Sequence, residues 1–139
     1  MLTRKGFTLV ELMVVILIVA ILAAVAIPIM RGRIDSAKWT EGKAMAGTIA
    51  TAIRAYYAEK AEDGVINPTK EDLGFLPGDL DATYFREADG AFTWTTAYTP
   101  GTNVLTFTIF ITAPPSIGSP DTMTLDQAGA WTDTTGSGV

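Results

Sequence analysis

From Leu12 to Met30 the chain carries 19 consecutive apolar residues with no polar position among them. As a helix rising about 1.5 Å per residue, such a run matches roughly the 30 Å hydrocarbon core of a bilayer. The pattern therefore predicts a membrane-spanning helix. Pro28 is the one residue in the run that opposes helix, because it has no N–H and frees the carbonyl one turn back, so a kink is expected there. After Arg31-Gly32-Arg33 the pattern changes. Met45, Ile49, Ala52, Ile53 and Tyr56 recur at helical spacing, and Lys43, Gly47, Ala50 and Arg54 make another stripe. The helix is expected to continue, now with one face to be covered, to about Ala61. Gly32, Gly42 and Gly47 each cost about 1 kcal/mol relative to alanine in its interior. Either they bend it or let another subunit approach; for Gly42 and Gly47 simple tolerance is expected.

Glu62-Asp63-Gly64 reads as the end of that helix, and Asn67-Pro68 opposes its resumption. In the connecting stretch, Thr69 is expected to cap a short helical turn that carries Glu71 and Asp72. Leu73, Phe75, Leu76, Leu80, Tyr84 and Phe85 are expected to pin it to a core. The period then becomes two. Phe92, Trp94 and Tyr98 share one face; Leu105, Phe107, Ile109 and Ile111 alternate with Thr106, Thr108 and Phe110. Thr99 to Asn103 reads as a hairpin loop between them. A second hairpin, Met123 to Leu125 and Ala130 to Thr132 around Asp126 to Gly129, adds the third and fourth strands. Covering such a sheet with the Met45 to Tyr56 face buries both apolar surfaces, so the fold class is α+β: a long helix packed on a small antiparallel sheet of about four strands. The aromatics are then core or subunit contacts.

Glu11 is the anomaly of the N-terminal pattern. A carboxylate at the bilayer edge costs about 2.5 to 3.5 kcal/mol and calls for a partner. The next basic residue along the chain is Arg31, roughly 30 Å away along the helix. The partner is expected to be a headgroup, water, a chain terminus or another molecule. Arg4, Lys5 and Ala24-Val25-Ala26 also admit an ordinary secretory signal cleaved after Ala26, but the apolar run is longer than the usual 7 to 15 residues and Glu11 stands at its entrance.

The stretch Lys5 to Leu12, KGFTLVEL, resembles the prepilin signature of type IV pilins and type II secretion pseudopilins. The resemblance implies cleavage after Gly6 by a membrane aspartyl peptidase, N-methylation of the new terminal Phe7, and assembly through the apolar helix into a filament. It also implies that Glu11 neutralises the terminal amine of a neighbouring subunit. On it the chain divides into a leader at 1–6, a transmembrane and assembly half of the helix at 7–30, an amphipathic half at 31–61, a connecting segment at 62–89, and a sheet head with tail at 90–139, with 136–139 a frayed end. Many pilins close a C-terminal loop with a disulfide; this chain has no cysteine.

Charge and composition narrow the chemistry. The chain has 10 basic and 15 acidic residues, no His and no Cys, which excludes thiol catalysis, disulfides and histidine acid-base roles. Between Arg31 and Ala61 six basic residues face three acidic ones, whereas from Glu62 onward eleven acidic residues face only Lys70 and Arg86. Two readings stand: a solvated surface, or a basic stem of one subunit meeting the acidic head of the next. Nucleic-acid binding is not expected. Asp121, Asp126 and Asp133 offer oxygen ligands, but their spacing lacks a tight calcium loop and they read as solvated turns. No nucleophile with a base, phosphate loop or carboxylate pair emerges, so neither an enzyme nor a cofactor is expected.

Arg4 and Lys5 favour a cytoplasmic N-terminus, while Arg31, Arg33 and Lys38 oppose it, so charge alone does not orient the helix. The resemblance implies a single pass in a bacterial inner membrane with the head outside the cytoplasm, then an extracellular pilus or a periplasmic pseudopilus. The expected function is a type IV pilus subunit; a pseudopilin of type II secretion or DNA uptake, or an anchored module that never polymerises, are the alternatives. Its expected partners are copies of itself, the prepilin peptidase, an inner-membrane assembly platform and the lipid bilayer.

Overall fold

The computed structural model describes residues 6–60 and 67–134. The expected helix end at Glu62 to Gly64, the leader charges Arg4 and Lys5, and the tail from Gly136 lie outside the described residues. The chain falls into two compact units, Met1–Ser36 and Ala37–Val139. One helix, α1 (Leu9–Glu59), contributes to both.

Within the second unit the strands are β1 (Phe92–Thr99), β2 (Val104–Thr112), β3 (Thr122–Asp126) and β4 (Trp131–Thr134). They form one antiparallel sheet in the order β1-β2-β3-β4, with Trp94 opposite Ile109 and Ile109 opposite Leu125. The first hairpin turns through Asn103 at positive φ, which asparagine tolerates. The second is built by Asp126, whose Oδ1 accepts the N–H groups of Ala128 (2.9 Å) and Ala130 (2.8 Å), with Gly129 at φ +84. The α+β, pilin-like architecture is thus a helix laid on a four-stranded meander, as the alternation of the strands implies.

The sheet's inner face (Phe92, Phe107, Ile109, Ile111, Leu125) and the helix positions Trp39, Ala46, Ile49, Ala50, Ile53, Tyr56 and Tyr57 make a single core. Its fully buried aliphatic side chains each stabilise by about 1.5 to 3 kcal/mol. The helix stripe differs in part from the expected one. Ala46 and Ala50 lie in the core, whereas Met45 only packs against it and Ala52 is half-buried. Ala46 and Ala50 share that buried line with Ile49 and Ile53, so small and bulky side chains alternate along it. Tyr57 is tied in by its hydroxyl, 2.7 Å from Thr96 Oγ1, and by the Tyr98 ring at 5.3 Å. The Trp39 indole N–H is buried without a hydrogen-bond partner among the described residues.

Gly42 corrects a second expectation. A Cβ there would lie 2.9 Å from the Phe85 ring, so glycine is required by close packing inside the head, while Gly47 faces open space. Phe85 also meets Trp39 at 5.2 Å and Phe92 at 6.1 Å between ring centroids. It is held in place by Glu41, whose Oε1 accepts the N–H groups of Tyr84 (2.7 Å) and Phe85 (3.4 Å).

The connecting stretch is pinned by Leu80 and Phe85, both buried, and by Leu73 and Phe75, which are partly buried. Leu76 and Tyr84 do not pin it: they are 70% and 41% exposed. Leu76 sits at the start of a tight turn closed by Asp79 N–H to Leu76 O, and Tyr84 lies under the Lys38 ammonium at 5.2 Å. Thr69 and Asp72 make the expected cap, with Asp72 Oδ2 accepting from Thr69 N–H (2.9 Å) and Oγ1 (2.8 Å). The structure makes of it only one hydrogen-bonded turn, stopped by Gly74 at φ +85. These bonds hold the Asp72 carboxyl below its ordinary range. Glu87 is held down likewise by its ion pair with Lys70 and by the Gly78 N–H.

Candidate assembly site

The N-terminal site spans the four consecutive positions from Thr8 to Glu11, whose carboxylate closes it. Thr8 is the N-cap of α1, since its carbonyl accepts the Leu12 N–H at 3.3 Å. Its N–H and hydroxyl donate to Glu11 Oε2 at 2.9 and 2.7 Å, and its Oγ1 accepts the Glu11 N–H at 3.3 Å. This is a reciprocal capping box, in which two orphan donors of a helix N-terminus are satisfied by side chains. It corrects the expectation that Glu11 must find its partner outside the chain. The partner is not a cation farther along the helix but a hydroxyl and an amide three residues upstream. The pattern Thr-x-x-Glu before an apolar run was the signal that would have found it.

Both bonds from Thr8 converge on one oxygen. Among the described residues, Oε1 has no partner. Gly6 and Phe7 precede the cap in non-helical conformation, and the Phe7 ring is 83% exposed. Pro28 lies inside α1, which runs on past it.

From Leu9 to Met30 every large apolar side chain is exposed. A helix apolar on all sides has no face to present to solvent, and contiguous exposed apolar surface of this size marks contact with lipid or with other protein. By length and composition this helix is apolar enough to cross a membrane.

The basic residues of the second helix half are mostly spent on their own head. Lys38 donates to Ser116 O (2.7 Å) and covers Tyr84; Arg54 donates to Gln127 O (3.2 Å) and stacks on Phe107 at 5.0 Å. Lys43 lies over Trp131 and Lys60 over Tyr56. Four of the six stem cations thus serve intrachain packing, which neither charge reading anticipated. Of the three aspartates considered for calcium, Asp126 shapes the β3–β4 turn, and Asp121 and Asp133 are exposed. Among the described residues no group of three or more acidic side chains is placed to hold a metal.

A capped helix with an exposed apolar N-terminal stretch, and a helix-on-sheet head, define a pilin-like fold. The comparisons agree: residues 1–27 match the family described as the prokaryotic N-terminal methylation motif. The chain is similar to the type IV major pilin protein PilE1 of Neisseria gonorrhoeae, 36% identical over 86 residues that cover 62% of this chain and 52% of that protein. It is similar to the fimbrial protein EcpC of Eikenella corrodens, 42% identical over 57 residues, 41% of this chain and 37% of that protein. It is similar also to the type II secretion system core protein G of Pseudomonas aeruginosa, 45% identical over 53 residues, 38% of this chain and 37% of that protein. The matches thus span between about a third and about half the length of these relatives. These relatives are a type IV major pilin, a fimbrial protein and a type II secretion core protein, and no solved structure matches the chain.

Proposed function

We propose that the chain is a structural subunit of a type IV pilus, cleaved by a prepilin peptidase between Gly6 and Phe7, N-methylated at Phe7, and polymerised with copies of itself through α1. The observation that carries this reading is the apolar first half of α1, in which every large apolar side chain from Leu9 to Met30 is exposed. That apolar wall serves contacts outside the chain, first with lipid and then with neighbouring helices.

Glu11 is the assembly residue. Its Oε1 receives the terminal amine of a neighbouring Phe7 while Thr8 holds Oε2. Opposite charges about 4 Å apart attract by about 4 kcal/mol at an effective dielectric near 20, whereas either charge alone is penalised in an apolar surround. Pro28 gives the helix a place to bend as it packs. Before assembly the chain is a single-pass protein of a bacterial inner membrane with its head outside the cytoplasm, handled by the peptidase and an assembly platform. The role is structural and not catalytic. Likeness to the type II secretion core protein G favours, as a second reading, a pseudopilin of a secretion or DNA-uptake system.

The test is the intact mass and N-terminal residue of the protein from membranes of cells bearing the peptidase. A methylated chain beginning at Phe7 is expected. A start at Met1 or Ile27 would leave an anchored module or an ordinary secreted protein. Sheared cells then separate the remaining readings: long surface fibres mean a pilus, and a processed chain without them means a pseudopilin.

A further inference from the structure

We propose that Arg31 and Arg33 form a binding collar for the phosphates of anionic phospholipids, which holds the chain at one membrane surface before assembly. The inference rests on the membrane reading of residues 12–30. Both arginines are exposed, and neither guanidinium has a hydrogen bond or ion pair among the described residues. Every other stem cation is engaged: Lys38, Lys43 and Arg54 bond to or cover groups beyond the helix, and Lys60 covers Tyr56 of the helix itself. The carboxylate that follows the two arginines, Asp35, is half-buried and already has an interaction of its own.

Position supplies the ligand. The apolar run from Leu12 spans about 28 Å, so Arg31 and Arg33 leave the hydrocarbon at the level of the headgroups. Two residues apart on a helix, they project about 200° from each other. A single docked protein meets one side of a helix, whereas headgroups encircle it and offer a phosphate to both sides. Guanidinium matches phosphate with two parallel hydrogen bonds, its long apolar stem suits the hydrocarbon edge, and Ile29, Met30 and Ile34 are exposed on the same stretch of helix. Anionic lipid is the component whose charge rewards that geometry.

The full-length chain is reconstituted in phosphatidylcholine vesicles with and without phosphatidylglycerol, and spin-labelled phosphatidylglycerol and phosphatidylcholine are compared for immobilisation at the protein surface. The wild type should select phosphatidylglycerol, with selectivity falling about five-fold for each of Arg31→Gln and Arg33→Gln. Lysine at both positions should retain most of it, and salt should weaken it. Comparing variants in one background keeps the contribution of Arg4 and Lys5 constant. Unchanged selectivity in the double glutamine variant overturns the collar. If that variant binds lipid normally but loses self-association, the arginines meet a second copy of the chain instead and the lipid assignment falls. A chain that does not enter vesicles overturns the membrane reading as well, and so separates its failure from that of the collar.

Discussion

Residues 9 to 30 and residues 37 to 59 belong to one helix and obey opposite rules. In the first stretch every large apolar side chain is exposed, while in the second the buried positions 39, 42, 46, 49, 50, 53, 56 and 57 trace one stripe. The second stretch is stabilised by its own chain, the first by whatever surrounds it. A substitution therefore reads out differently according to where it falls: in assembly for the first stretch, in folding for the second.

The sharpest way to break this division is Glu11. Glu11→Ala should leave cleavage at Gly6 and head stability intact and remove most of the fibre recovered by shearing; normal fibre yield would sink the assembly role. Glu11→Gln separates charge from capping, because an amide oxygen still accepts from Thr8. If the charge is what matters, glutamine assembles as poorly as alanine. If only the cap matters, glutamine assembles normally.

Next in size is a truncation in each stretch. Ile53 is fully buried, and Ile53→Ala should lower head stability by about 2 to 5 kcal/mol, whereas Leu17→Ala should leave it unchanged. Urea unfolding of the detergent-solubilised chain, followed by tryptophan fluorescence, measures both. Equal effects would mean that the two stretches share a core.

The two stretches also differed in how far they could be read from sequence. The apolar run, the period-two strands and the helix-on-sheet packing were legible because periodicity reports which face is buried. Which residues share the inner line of the helix was less so: Ala46 and Ala50 lie there with Ile49 and Ile53, and which positions are covered depends on the opposite surface. Gly42 escaped for the same reason, since its role is the shape of Phe85, 43 positions later. Glu11 stands out in the sequence by its charge, whereas its Thr8 partner is legible only as the capping pattern Thr-x-x-Glu, a neutral hydroxyl and amide rather than a cation. The fates of Lys38 and Arg54 depend on loop carbonyls at Ser116 and Gln127, which no local pattern announces.

The glycines give a smaller and signed test. Gly42→Ala forces a methyl against the buried Phe85 ring and should cost about 1 to 3 kcal/mol. Gly47→Ala meets nothing within 4 Å and should stabilise the head by roughly 0.5 to 1 kcal/mol through helix propensity. Matching signs would show that Phe85 yields to the added methyl, or that Gly47 is covered.

The smallest effect expected is on the acid limb of head stability. Asp72 is held below its ordinary range by the Thr69 N–H and hydroxyl, and Glu87 by Lys70 and the Gly78 N–H. The folded head therefore binds fewer protons at these sites than the unfolded chain does. Their contribution is fully present above the ordinary carboxylate range and is lost as pH falls through the lowered folded values. Between neutral pH and about pH 3, Asp72→Asn and Glu87→Gln should each lose less stability than the wild type does. The difference should be small, because both groups lie near solvent, and added salt should shrink the Glu87 part more than the Asp72 part. Asp72 is lowered chiefly by short hydrogen bonds within one turn, which salt does not screen, whereas Glu87 depends first on a cation. Urea midpoints at the two pH values, with and without salt, measure this. An acid limb as steep in both variants as in the wild type would mean that the loss at low pH arises elsewhere in the head.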